Sequence, residues 1–74
     1  MYIIQEMQTT GGVTALVPAI MEPDDKEAES KFLLACSYAV KSTVEVHTVI
    51  CVDEHGNNCF GSPKYYEHWP EAEG

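Results

Sequence analysis

Residues Asp24 to about Ser42 form one amphipathic helix, set between two pairs of candidate strands that carry apolar residues on both faces. A single helix covers only one face of a sheet, so the second apolar face needs another cover. On a 100° wheel, Ala28, Phe32, Leu33, Ala35, Cys36, Ala39 and Val40 make one apolar stripe. That stripe is expected to pack on the sheet. Leu34 and Tyr38, four residues apart, project from the opposite, polar side beside Lys31 and Lys41. Pro23-Asp24-Asp25 opens the helix: either aspartate can accept from the free first-turn amides, and Glu27 and Glu29 suit the positive end of the dipole.

Before the helix, residues 2–9 alternate imperfectly between apolar and polar and read as a strand. Thr10-Gly11-Gly12 is a hairpin turn, and Val13 to Ile20 is the returning strand, with Pro18 marking an edge or a bulge. After the helix, Thr43 to Val52 is dominated by β-branched residues. Val44, Val46, Ile50 and Val52 share one face of it, and His47, Val49 and Cys51 the other. Asp53 to Asn58 is a polar turn. Cys59-Phe60 begins a fourth strand, interrupted at Gly61-Ser62-Pro63 and resumed at Lys64 to Tyr66.

The expected fold is therefore α+β: a ββαββ domain over residues 1–66, with one helix on a four-stranded, mainly antiparallel sheet and an acidic, frayed tail over 67–74. Ile3, Met7, Leu16, Ile20, Val49 and Cys51 cannot all lie under the helix together with Tyr2, Ile4, Val46 and Ile50. A second copy packed sheet to sheet would bury the surplus. With 74 residues the chain is one domain, and cores of this size rarely supply more than about 3–5 kcal/mol, which also favours an oligomer.

Twelve acidic and four basic residues set the formal charge at −8. That sign repels phosphate backbones and anionic lipid surfaces, so neither nucleic acid nor membrane is an expected partner. No basic leader and no apolar run near ~18 residues is present, and the odd count of three cysteines reads as reduced thiols; a cytoplasmic location is expected. Cys51, His55 and Cys59 are too loosely spaced, and lack a C-x-x-C, to argue for zinc. A Cys51–Cys59 disulfide is geometrically conceivable, but the expected cytoplasmic setting disfavours it. Nothing pairs a thiol with a base and an oxyanion hole, and the carboxylates lack the apolar flanks of an acid/base pair. No catalytic residue, metal or cofactor is assigned.

Met1-Tyr2-Ile3-Ile4, then Gln8-Thr9, then Glu27-Ala28-Glu29-Ser30-Lys31-Phe32, then Ser42, Val44, Val46 and His47 resemble a group of short, uncharacterised proteins encoded in phages and prophages of gut Firmicutes. Their E-A-E-S-K-[FY] segment is the more specific match, and the similarity spans about Met1 to Gly56. Where the group has an alanine run, this chain has Ser37, Tyr38, Val40 and Lys41. The resemblance implies a phage or prophage origin and a small α+β fold, and transfers no active site. The expected function is non-catalytic protein binding: a homodimer in the bacterial host cytoplasm, with a host defence protein as a further partner. Leu34, Tyr38 and Trp69, with the carboxylates Asp24, Asp25, Glu27, Asp53, Glu54, Glu71 and Glu73, are the candidate contacts. A phage structural component is one alternative. Another is a nucleotide-sequestering protein, with Tyr38, Tyr65, Tyr66 and Trp69 stacking a base and Lys31, Lys41 and Lys64 meeting its phosphate.

Overall fold

A computed structural model describes residues 1–68. Five strands and one helix follow in the order β1 (Tyr2–Thr10), β2 (Val13–Leu16), β3 (Ile20–Glu22), α1 (Asp25–Lys41), β4 (Val46–Asp53) and β5 (Lys64–Glu67). Every strand pairing is antiparallel, and the sheet runs β2-β1-β4-β5 with β3 pairing β1 beyond β2. The α+β expectation of one helix on an antiparallel sheet is met.

Local chemistry accounts for the element ends. Gly11 and Gly12 take φ of 60° and 79°, the left-handed pair that a tight two-residue hairpin requires. The expected strand from Val13 to Ile20 divides around Pro18, which has no amide to donate. The Val17 amide still reaches Glu6 O, and the Gln5 side-chain amide donates to Glu6 O and Val17 O across the break. The Asp24 carboxylate accepts from the Glu27 amide at 2.9 Å and caps α1. At the far end Ser42 N–H closes on Ala39 O, and His68 Nε2 donates to the same carbonyl at 3.0 Å.

The expected strand at Cys59-Phe60 does not form. Only Val52 and Asn58 bridge there, and Phe60 has a φ of 59°. Ser62 Oγ takes the place of a strand partner, accepting from the Cys51 amide at 3.0 Å and donating to Asn58 Oδ1 at 2.9 Å. The tail boundary also moves: Glu67 belongs to β5, and His68 N donates to Glu45 O. Trp69, Glu71 and Glu73 lie outside the described residues.

The core between α1 and the sheet is Ile4, Ala28, Phe32, Ala35, Cys36, Ala39, Val49 and Cys51, edged by Tyr2, Cys59, Phe60 and Tyr66. Register decides which strand residues reach it. Ile4 lies opposite Cys51 and Ile20, so these share the helix side. Ile3 opposes Val52 and Met21, Gln5 opposes Ile50, and Met7 opposes Leu16 and Thr48, which sets those residues on the other side. The sequence grouping is corrected accordingly: Val49, Cys51 and Ile20 join Tyr2 and Ile4, while Val46 and Ile50 join Ile3, Met7 and Leu16. The helix stripe is also narrower than expected. Leu33 and Val40 remain 55% and 51% exposed because small residues at 28, 35 and 39 bring the helix down on its centre line.

Candidate functional site

Two surfaces and one polar cluster stand out. The first is the sheet face opposite α1. Among the described residues no helix covers it, and it carries Ile3, Met7, Leu16, Met21, Val46, Ile50, Val52 and Tyr65. Leu16, Met21 and Tyr65 are 60–70% exposed at 68%, 67% and 63%, and the strand-centre residues are half-buried by their neighbours. Its polar members are Gln5, Thr9, Thr14 and Thr48. Gln5 is held by backbone carbonyls, and the hydroxyls of Thr9 and Thr14 bond each other at 2.8 Å. Glu67, at the corner, is the one charged strand residue on this face.

The second surface is a groove of about 260 Å³ between α1 and β3, lined by Glu6, Ile20, Lys31, Leu34, Ala35 and Tyr38. Leu34 and Tyr38, expected as an outward pair, are exposed yet stand on the flank of α1 that overhangs this groove. Lys31 Nζ donates to Glu22 at 2.5 Å, and this bond holds the ammonium charged and raises its pKa. Behind Glu6 lies a residue to which no role was given in the sequence: His47, whose Nε2 meets Glu6 Oε1 at 2.9 Å across β1 and β4. The His47 side chain is 4% exposed, and its Nδ1 is buried without a partner. The alternation of β4 groups His47 with Val49 and Cys51, and only the strand register places that group beneath the helix.

The carboxylates gather at one end. Strand register puts Asp53 opposite Tyr2, and Tyr2 opposite Glu22, from which the chain turns into Asp24 and Asp25. Burial, with the charges of Asp25 and Asp53 among others, raises the Tyr2 pKa. Most of these carboxylates have local partners. Asp24 caps α1, and Asp53 accepts from the amides of His55 and Asn57 and from Asn57 Nδ2, which lowers its pKa. Glu54 meets the Met1 amino group at 3.0 Å and is lowered by that contact. Asp25 and Glu27 are exposed in the first helical turn.

The remaining candidates are dispersed. Tyr38 borders the groove, Tyr65 is on the open face, and Tyr66 packs on the helix side at the margin of the core, so one chain does not assemble them into a base-stacking cleft. Burial raises the thiol pKa of Cys36 and Cys51, away from nucleophilic use, and Cys59 is half-buried. His55 sits in the exposed turn, remote in environment from buried Cys51. Among the described residues no group of three or more His, Cys, Asp or Glu is arranged to hold a metal ion. No helix among them is long and apolar enough to cross a membrane. Comparison with known protein families, curated proteins and solved structures found no match.

Proposed function

We propose that this chain works as a non-catalytic protein-binding module whose primary partner is a second copy of itself, docked through the open sheet face. The observation that supports this is an apolar face without charge at its centre on a chain of net charge −8. Two such chains repel over most of their surface, and on this face the one strand carboxylate, Glu67, sits at a corner, so they can meet here without burying a carboxylate at the centre. Four strand positions at about 4.8 Å and a nine-residue strand at about 3.3 Å per residue give a face of roughly 19 by 30 Å. Two copies would then bury on the order of 1,000 Å², the lower bound for a specific interface. Aligned sheet packing makes the contact isologous, so each apolar residue acts twice.

Light scattering coupled to gel filtration at micromolar concentration tests this. We expect a mass of twice 8.2 kDa; a mass of 8.2 kDa refutes self-association.

A second partner, a basic host protein, is favoured by the gathering of Asp24, Asp25, Asp53 and Glu54 at one end. In that setting the chain acts as an inhibitor carried by a phage, binding a positively charged surface electrostatically. Capture from host lysate that is released by raising salt is the expected result, and a partner that survives high salt argues against it.

A further inference from the structure

We propose that the groove between α1 and β3 is a binding site for a small organic cation, an amine on an aliphatic or aryl body. It lies on the helix side of the sheet, opposite the proposed dimer face, and is independent of self-association.

The apolar walls come first. Ile20, Leu34, Ala35 and the ring of Tyr38 line about 260 Å³, just under the roughly 300–1,000 Å³ of pockets for drug-sized ligands. Such walls take up hydrocarbon, and the volume suits one ring with a short chain.

Two charged groups reach the groove, and they differ. Lys31 is already answered by Glu22. Glu6 is not. Its side chain is 19% exposed, and its hydrogen bond to His47 uses one of about four acceptor sites on a carboxylate. His47 meets it through Nε2 alone, and the other ring nitrogen, Nδ1, is buried without a partner and turned to no second acceptor. Nε2 is the ring nitrogen that reaches Glu6, at Oε1, and among the described residues Oε2 of that carboxylate has no hydrogen-bond partner. The groove therefore presents a partly buried carboxylate with a free oxygen among apolar walls and an aromatic ring. An organic cation matches all three features, through ion pairing, apolar contact and the attraction of a ring face for a positive charge. A neutral apolar molecule would leave Glu6 desolvated and unpaired, and an anion would be repelled. The overall charge of −8 further concentrates cations near the chain.

The test is a titration of the isotope-labelled full chain, followed by amide shifts, at neutral pH and constant ionic strength. The probes are phenethylamine, phenethyl alcohol and 3-phenylpropionate. We expect saturable shifts at Ile20, Leu34 and Ala35 with the amine, at least tenfold weaker binding of the alcohol, and none of the acid. Glu6→Gln should lower amine affinity about tenfold, to the level of the alcohol. Leu34→Lys, at a position 53% exposed, should place a tethered cation at the groove and abolish the amine shifts without unfolding the chain. Equal binding of amine and alcohol overturns the proposal, as does the absence of any saturable shift. Should Glu6→Gln fail to fold, Leu34→Lys decides, and undiminished amine binding by it refutes the site. None of these outcomes depends on the oligomeric mass.

Discussion

Replacing Ile50 with glutamate separates the role of the open face in assembly from its role in folding. Ile50 is at the middle of β4, opposite Gln5, on the side away from the helix. It is half-buried by its neighbours, so the roughly few tens of Å² it still exposes are worth only about 1 kcal/mol per copy at ~25 cal/mol/Å². The charge dominates instead. An unpaired carboxylate sealed into an interface costs several kcal/mol after relaxation, and a two-fold contact contains it twice. Taking about 3 kcal/mol per copy gives about 6 kcal/mol, or on the order of 10⁴-fold in Kd at 1.4 kcal/mol per decade. A micromolar dimer would become monomeric at any practical concentration. In the isolated chain the same carboxylate faces water, where strand preference spans only about 1 kcal/mol. We therefore expect Ile50→Glu to halve the mass by light scattering or sedimentation while circular dichroism and the thermal midpoint stay close to the parent. A variant that remains dimeric refutes the open face as the interface. A variant that is monomeric only because it has unfolded shows instead that Ile50 belongs to the core.

Three further outcomes follow from the same geometry. Phe32→Ala should cost about 3–5 kcal/mol in urea unfolding, because Phe32 is fully buried, whereas Leu33→Ala should cost under about 1 kcal/mol; equal losses would contradict the narrow core stripe. Asp24→Ala should remove about 1 kcal/mol through the lost cap, and Asp25→Ala clearly less; the reverse ranking would move the cap. The Asp53 pKa is lowered in the folded chain, so its stabilisation is present above the ordinary carboxylate pKa of about 3.9 and is lost as pH falls through the lower folded value. The stability gap between the parent and Asp53→Asn should accordingly close in that acid window, and a gap that persists at the acid end would exclude the Asp53 hydrogen bonds as its source.

Much of the local structure was legible from short-range chemistry. Asp24 marks the start of α1 because a carboxylate satisfies first-turn amides, and Gly11-Gly12 marks the first hairpin because both positions need positive φ. The break at Pro18 could be anticipated from its missing donor, although its position between two short strands could not. The failure of Cys59-Phe60 to form a strand has a longer-range cause: Ser62 returns from beyond the turn to occupy the Cys51 amide. Leu34 and Tyr38 were visible as a pair, but the groove beside them was not, since Glu6 lies on β1 and Ile20 is brought beside it only by the pairing of β3 with β1.

By itself the sequence determined that one helix must cover a sheet with two apolar faces, because that follows from helical periodicity, β-branched runs and turn residues acting over a few positions. It also determined the strong negative charge that makes a neutral face conspicuous. Only the tertiary structure decided which residues compose each face. A shift of one residue in strand register exchanges the two sides completely, and the register of β1 against β4 is set by contacts between residues 37 to 51 positions apart. Those contacts place Ile50 on the open face, Val49 beneath the helix, and His47 against Glu6 at the edge of the groove.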